Sequence, residues 1–233
     1  MPSFDIVKKI TPPNTFRAKS VIGNFDIDVE HICEHFHGNI DIDGTTWNVG
    51  LIVGGSGTGK STIAKKVFGA SYITDHKYSA SAVIDDMPQS KSVKDIEMTF
   101  TSVGFASPPS WLKPYDVLSN GEKMRVDLAR SILEDRDLVV FDEFTSVVNR
   151  EVAKTASYAI SKAVRRQGKR FVAVACHRDI IEWLAPDWIY DTDAQRFFLV
   201  RESSTARQSS LKYTGLTTQL KSKYGKSFGS ITI

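Results

Sequence analysis

Residues 54–61 read Gly-Gly-Ser-Gly-Thr-Gly-Lys-Ser, and they match the pattern G-x-x-x-x-G-K-[ST] at every fixed position. Glycines let backbone N–H groups turn inward and approach phosphate oxygens, because no Cβ atom stands in the way. Residues 47–53 before the loop are mostly apolar, which is typical of a buried strand, and the apolar spacing over residues 63–68 predicts a helix that ends near Gly69. A strand, a glycine-rich loop and a helix in this order predict a nucleoside triphosphate site, with a purely structural turn as the alternative.

Two side chains give this loop its chemistry. The amino group of Lys60 is expected to reach the β- and γ-phosphate oxygens, and the hydroxyl of Ser61 is placed to ligate Mg²⁺. The helix that follows also directs the positive end of its dipole at the bound anion. The predicted nucleotide-binding residues of the loop are Gly54, Gly55, Ser56, Gly57, Thr58, Gly59, Lys60, Ser61 and Thr62.

A pair of carboxylates follows a second apolar run. Residues 138–141 are typical of a strand buried on both faces, and Asp142 and Glu143 come directly after them. In a P-loop enzyme, a carboxylate at the position of Asp142 holds Mg²⁺ through water, and one at Glu143 orients or deprotonates the attacking water. A charged turn after a buried strand is the alternative, and the P-loop upstream favours the catalytic interpretation.

Strands and helices alternate along the rest of the chain. Helices are predicted over residues 121–135 and 150–167, the second ending at Gly168, and another buried strand is predicted over residues 171–175. This alternation predicts an α/β fold with a mainly parallel sheet. Ligands then bind at the carboxyl ends of its strands.

Two segments depart from this alternation. In residues 16–53, apolar residues alternate with acidic ones, which predicts an N-terminal antiparallel β subdomain. Residues 88–117 contain four prolines, which predict an insertion of short helices and loops. We therefore predict one domain over residues 1–200, with a short helical subdomain at about 88–130, and a separate tail over residues 201–233.

Composition places the chain among globular proteins. Hydrophobic residues make up 41% of its 233 residues, enough for a sizeable core, and the net charge is only +3. Cys33 and Cys176 show neither disulfide nor metal-ligand spacing, so we expect a reducing, cytoplasmic environment. The first residues contain no apolar signal segment, and no apolar run approaches the roughly 18–20 residues that span a bilayer. Membrane insertion is therefore not expected.

Further motifs, in a fixed order, make the chain similar to the ABC ATPases. Residues 118–122 read Leu-Ser-Asn-Gly-Glu and resemble the signature loop of that family, usually written LSGGQ. Residues 142–146 resemble its DEPTS segment, and His177 closes a strand-like run as the switch histidine of the family does. Gln89 follows strand-like residues 82–84 and resembles the Q-loop glutamine.

The resemblance covers about residues 16–195 and implies ATP and Mg²⁺ as ligands, with ATP hydrolysis as the activity. In this family the signature loop docks on the γ-phosphate that the P-loop of a second copy holds. Ser119 and Gly121 would then contact nucleotide across the interface. The implied partner is a second copy in a head-to-tail homodimer with two sandwiched ATP molecules.

The same resemblance assigns roles to single residues. It implies that Gln89 senses the metal, that Glu143 is the catalytic base, and that His177 contacts the γ-phosphate and the attacking water. Lys60 joins them as a catalytic residue. For the aromatic ring that stacks on adenine, the interpretation is Phe25, with an ordinary core role as the alternative.

Four positions depart from the family pattern. Asn120 replaces a signature glycine and Glu122 replaces glutamine, which alters the loop that grips the γ-phosphate. Phe144 stands where proline is usual, and Asn149 stands where aspartate is usual. We expect Asn149 to affect the coupling between the two nucleotide sites.

Several features bear on what the ATP cycle acts on. Only 30 positions separate Gln89 from Ser119, which is short for a transporter subunit. Residues 175–191 resemble a group of soluble ABC ATPases fused to acetyltransferase-like domains, so a separate acetyltransferase-like chain is a hypothetical partner. The predicted function is a soluble ATPase whose conformational cycle acts on a protein or nucleic acid. The alternatives are the energising subunit of a membrane transporter and a low-turnover, ATP-dependent scaffold.

The C-terminal tail suggests a nucleic-acid partner. Residues 201–233 carry six Lys and Arg residues against one Glu, a net charge of +5. Cations spread among Ser and Thr can neutralise nucleic-acid phosphates. A merely solvated tail is the alternative.

Overall fold

A six-stranded, mainly parallel sheet forms the centre of the described part of the chain. The computed structural model describes residues 3–9, 14–27, 33–73, 76–134 and 136–200. Its strands are β1 (Ser3–Lys9), β2 (Cys33–Asn39), β3 (Val49–Val53), β4 (Tyr72–Ile73), β5 (Leu138–Phe141), β6 (Arg170–Ala175), β7 (Trp188–Asp191) and β8 (Arg196–Leu199). Its helices are α1 (Phe16–Asn24), α2 (Lys60–Phe68), α3 (Val93–Ser102), α4 (Pro108–Trp111), α5 (Asn120–Leu133), α6 (Arg150–Gln167) and α7 (Ile180–Leu184). None of these helices is long and apolar enough to cross a membrane.

The strand order explains why the predicted functional segments meet. Within the described ranges the strands follow the order β4-β5-β6-β3-β7-β8, and β1 and β2 form a separate pair. Strands β4, β5, β6, β3 and β7 run parallel, whereas β8 is antiparallel to β7. The loops after β3, β5 and β6 therefore leave from one edge of the sheet, and they carry residues 54–61, Asp142 with Glu143, and His177. The predicted α/β fold is confirmed.

Apolar layers cover both faces of the sheet. Along β3, Leu51 and Val53 pack in the layer that contains α3, α5 and α6, whereas Ile52 packs in the layer that contains α2. All three side chains are buried. Burial of one such side chain contributes about 1.5–3 kcal/mol, so the strand that leads into the glycine-rich loop is firmly anchored.

The N-terminal antiparallel pair is confirmed, but the chain between its strands is helical. β1 pairs with β2 along its whole length. Between them, residues Phe16–Asn24 form α1, whose N-terminus is capped by Thr15 accepting the backbone N–H of Ala18. The strand prediction over this stretch is wrong, because the Thr15 cap and the hydrogen bond from Phe25 N–H to the Val21 carbonyl close helical turns.

Short helices make up the insertion, as its prolines predict. The strand-like residues 82–84 are an exception, because they lead into the 3-10 turn Val83–Asp86. The Asp86 carboxylate accepts the backbone N–H groups of Ser79 and Ala80 and bends the chain back on itself. The strand expected before Gln89 is therefore wrong.

Candidate active site

The loop at residues 54–61 surrounds its own lysine. It joins β3 to α2, as predicted. Lys60 is 8% exposed, and its Nζ donates a 2.5 Å hydrogen bond to the Gly55 carbonyl oxygen. Gly59 has a φ of +81°, in the left-handed region that favours glycine, and a Cβ atom there would collide with the Phe36 ring. The loop conformation thus keeps the lysine beside the backbone that would carry phosphate.

A carboxylate that follows the neighbouring strand β7 accepts a hydrogen bond from the backbone of this loop. Asp193, just after β7, accepts the backbone N–H of Gly55 at 3.1 Å. Arg178 donates to the Asp193 carboxylate at 2.6 Å and also to Asp191, which is buried. Burial would raise the pKa of Asp193, but the Arg178 and Gly55 hydrogen bonds outweigh it and the pKa is lowered. Sequence reasoning missed this contact, because no local motif signals it.

The two carboxylates after β5 have different surroundings. One Asp142 oxygen accepts the backbone N–H of Glu143 at 2.9 Å, and the other accepts the hydroxyl of Tyr72. Glu143 is exposed, with a φ of +50° that is uncommon outside glycine. Phe144 is buried, and its N–H donates to the Val174 carbonyl at 2.8 Å, which ties this turn to β6.

These segments line a common cavity of about 270 Å³. Lys8 and Glu34 of the β1–β2 pair also line it, as does Cys176 after β6. The lining residues that the sequence predicted are Ser56, Gly57, Gly59, Lys60, Ser61, Thr62, Asp142 and Glu143. The structure therefore brings the predicted phosphate loop together with the predicted metal ligand Asp142 and the predicted base Glu143.

Two of the oxygen ligands predicted for Mg²⁺, Ser61 and Asp142, line this cavity. The Tyr72 hydroxyl donates a hydrogen bond to the Asp142 side chain. Burial, then the bond to Asp142, raises the pKa of Tyr72, so its hydroxyl is a proton donor. Mg²⁺ prefers oxygen ligands and keeps several waters, so a hydroxyl and a carboxylate beside a phosphate loop suit it. Gln89, the third predicted ligand, is exposed after the turn Val83–Asp86 and does not line the cavity.

The predicted signature loop lies away from the phosphate loop of its own chain. Ser119 is exposed and caps α5, forming reciprocal hydrogen bonds with Glu122. Among the described residues, neither Ser119 nor Gly121 lines the 270 Å³ cavity. Within one chain, the structure does not bring these residues to Lys60.

Two other predicted site residues also lie outside the cavity lining. His177 is exposed and directly follows Cys176, which does line the cavity. Phe25 is 74% exposed at the end of α1, so its alternative interpretation as a core residue is wrong. The aromatic ring that packs against the loop is that of Phe36, which sequence reasoning did not single out.

Two departures from the family pattern have local structural roles. Glu122 completes the capping box of α5 and accepts the Ser110 hydroxyl at 2.8 Å. The backbone hydrogen bond from Ser119, followed by the Ser110 bond, lowers the pKa of Glu122. Asn149 caps α6, because its side chain accepts the Val152 N–H at 2.9 Å.

Sequence comparison finds similarity to known proteins, although no protein-family model matches the chain. A phosphonates import ATP-binding protein, PhnC 1, of a Synechococcus strain is 30% identical over 83 residues, 36% of this chain and 32% of that protein. An uncharacterized ABC transporter ATP-binding protein of Haemophilus influenzae is 45% identical over 56 residues, 23% of this chain and 22% of that protein. These local similarities are to proteins described as ABC ATP-binding proteins. It spans about a third or less of the length of the curated relatives it matches.

The solved structures agree with the cassette fold. The dimeric ATP-binding cassette MJ0796, bound to ADP and Pi in a post-hydrolysis state, superposes with a TM-score of 0.58 at 13% identity. The match covers 73% of this chain and 94% of that chain. At this identity the likeness establishes the shared fold: a mixed sheet, an N-terminal antiparallel pair and surrounding helices.

Proposed function

We propose that this cassette binds ATP with Mg²⁺ and hydrolyses it as a head-to-tail homodimer. The observation that carries the proposal is the convergence of Lys60, Ser61, Asp142 and Glu143 on one cavity of about 270 Å³. A triphosphate site needs a cationic side chain, inward N–H groups and oxygen ligands for a metal. All of these are contributed by the loops at one edge of the sheet.

Each of these residues has a defined chemical task. When phosphate enters, Lys60 exchanges its bond to the Gly55 carbonyl for bonds to phosphate oxygens. Ser61 and Asp142 would hold Mg²⁺, which would supply positive charge against the phosphate oxygens. Glu143 accepts a proton from the water that attacks the γ-phosphorus, and its exposed position leaves room for that water.

A second copy completes the site. Ser119 does not line the cavity of its own chain, yet it stands at the N-terminus of the fourteen-residue helix α5, an arrangement that favours an anion. In a two-fold pair, the Ser119 loop of each copy covers the phosphates bound by its partner. MJ0796, which shares this fold, is described as a dimer bound to ADP and Pi, and this supports the pairing of two copies.

The second part of the proposal concerns the molecule on which the ATP cycle acts. A protein or nucleic-acid partner remains our primary hypothesis. The energising subunit of a membrane transporter is the second candidate, favoured by relatives that are described as an import ATP-binding protein and as an ABC transporter ATP-binding protein. The acetyltransferase-like partner and the low-turnover scaffold remain hypotheses. The basic tail over residues 201–233 lies outside the described residues, so its nucleic-acid role also remains a prediction.

Mixing two defective variants tests the shared site. Lys60→Ala loses nucleotide binding at its own P-loop, and Ser119→Arg blocks the phosphates bound by its partner. Each variant alone is expected to be inactive. A 1:1 mixture forms mixed dimers with one intact site, which restores about a quarter of the wild-type ATPase rate. The matched control, Lys66→Ala, changes an exposed lysine of the same helix and should keep full activity.

The two parts of the proposal fail in different ways. If Lys60→Ala binds ATP as tightly as the wild type, the nucleotide site is misassigned. If both single variants are inactive and their mixture is also inactive, the head-to-tail arrangement is rejected, while nucleotide binding at residues 54–61 stands.

A further inference from the structure

The hydroxyl of Tyr72 donates a hydrogen bond to Asp142, one of the side chains that are expected to hold the metal. We propose that Tyr72 is a displaceable competitor of Mg²⁺, and that its hydroxyl must leave Asp142 before the metal–nucleotide complex is fully bound. The inference rests on the proposed function, since it concerns the same P-loop site. It adds a residue that no motif of the sequence identifies.

The hydrogen bonds of Asp142 carry the first step of the argument. Its Oδ1 accepts the Glu143 backbone N–H at 2.9 Å, and its Oδ2 accepts the Tyr72 hydroxyl. A phenol that donates to the Asp142 carboxylate makes the bond that a metal-bound water would make. Tyr72 and the hydrated ion therefore compete for one position.

The fold holds the tyrosine in this position. Tyr72 belongs to β4, where it pairs with Val140 of β5, two residues before Asp142. Lys65, one turn after Ser61 on α2, places its Nζ 4.9 Å from the centre of the Tyr72 ring. The strand pairing thus holds the backbone of Tyr72 in place, and the cation–π contact favours the position of its ring beside Asp142.

A neighbouring cavity gives the ring space to move. This second cavity, of about 710 Å³, is lined by Tyr72 and Asp142 and extends towards α5. Its other lining residues include His76 and Lys123, which offer polar partners for a displaced hydroxyl. Side-chain rotation alone then exchanges the tyrosine for the metal, and β4 stays paired.

Because the metal must displace the Tyr72 hydroxyl, the affinity for Mg²⁺ should be lower than that of the same metal ligands without this hydroxyl. The hydrogen bond between Tyr72 and Asp142 must break before Asp142 can bind the hydrated metal. The loss of one intramolecular hydrogen bond weakens the metal-binding equilibrium by about 2- to 10-fold. Nucleotide without metal needs no such release. Removal of the hydroxyl should therefore strengthen metal binding selectively.

The test compares Tyr72→Phe with the wild type in two titrations. Electron paramagnetic resonance measures the binding of Mn²⁺, a spectroscopic substitute for Mg²⁺, to the ATP-loaded protein, and a fluorescent ATP analogue in EDTA measures metal-free nucleotide binding. We expect Tyr72→Phe to lower the Mn²⁺ dissociation constant by about 2- to 10-fold and to leave metal-free binding unchanged. The matched control is Tyr78→Phe, which removes a hydroxyl bonded at 2.7 Å to another carboxylate, Asp127.

Each outcome decides between the alternatives. An unchanged or raised Mn²⁺ dissociation constant in Tyr72→Phe overturns the competitor role and leaves the proposed function intact. An equal gain in Tyr78→Phe also overturns it, because the effect would then be a general loosening of the protein. If the wild-type protein binds neither the ATP analogue nor Mn²⁺, the proposed function itself fails.

Discussion

Both carboxylate oxygens of Asp193 lie 3.1 Å from the backbone nitrogen of Gly55. The carbonyl of the same glycine accepts a hydrogen bond from the amino group of Lys60, so Asp193 is connected to the lysine through one residue of the loop. Arg178 orients Asp193 in turn. The loop is therefore positioned by a strand end that lies far from it in sequence.

Removal of this contact should weaken nucleotide binding more than it slows chemistry. In Asp193→Ala the Gly55 N–H loses its acceptor and the loop gains conformational freedom, which must be lost again when ATP binds. We expect the KM for ATP to rise about tenfold, with a smaller change in kcat, as for a lost binding contribution. Steady-state ATPase kinetics measure both values. The exposed α3 variant Glu97→Ala is the control, and a fall in kcat at unchanged KM would contradict the positioning role.

Substitution of Glu143 separates binding from turnover. In Glu143→Gln the side chain keeps its shape but no longer accepts a proton, so the ATPase rate should fall by about 10²- to 10⁴-fold. ATP then persists in the shared sites, and a dimer should accumulate with ATP but not with ADP. Turnover assays and light scattering measure the two effects. The exposed Glu151→Gln is the control, and an unchanged rate in Glu143→Gln would reject its role as base.

The lowered pKa of Glu122 predicts a pH-dependent contribution to stability. Its carboxylate caps α5, and a depressed folded-state pKa stabilises the fold above the ordinary value of 4.5, an effect lost as the pH falls through the folded-state pKa. Near pH 7, Glu122→Ala should lower the free energy of unfolding by about 1 kcal/mol. Urea unfolding at several pH values measures the difference, which should shrink below pH 4.5.

Glu122→Gln is the matched variant, because it keeps the side-chain length and restores the family residue. It should lose less stability than Glu122→Ala, and its stability relative to Glu122→Ala should vary little with pH. A Glu122→Ala deficit that is the same at pH 7 and at acid pH would show that the carboxylate charge contributes nothing to the cap.

Restoration of the family proline at position 144 should destabilise this chain. Phe144 is buried, and its N–H donates to the Val174 carbonyl, a bond that proline cannot make. Proline is also smaller than phenylalanine and leaves space in the core. The two effects together should lower the free energy of unfolding of Phe144→Pro by at least about 3 kcal/mol. Phe144→Leu keeps the N–H and should lose less than half as much. Equal losses in urea unfolding would mean that the hydrogen bond to β6 is unimportant.

Local sequence patterns predicted much of the fold. The sequence predicts a helix over residues 150–167, and the structure has α6 at Arg150–Gln167. This prediction succeeds because an apolar face and a terminal Gly168 are local signals. The stretch at Phe16–Asn24 was misassigned as strand, since a few alternating residues did not outweigh the Thr15 cap. The strand predicted at residues 82–84 is also absent, because the Asp86 carboxylate stabilises a turn there.

The sequence by itself determined the phosphate loop, its lysine and the carboxylates after β5, because each is a contiguous motif whose chemistry depends on near neighbours along the chain. Only the tertiary structure places Tyr72 against Asp142 and Asp193 against Gly55, since 70 residues separate the first pair and 138 separate the second. Parallel strand order brings these segments to one edge of the sheet. No local spacing encodes which loops become neighbours there, because that depends on how the strands pair.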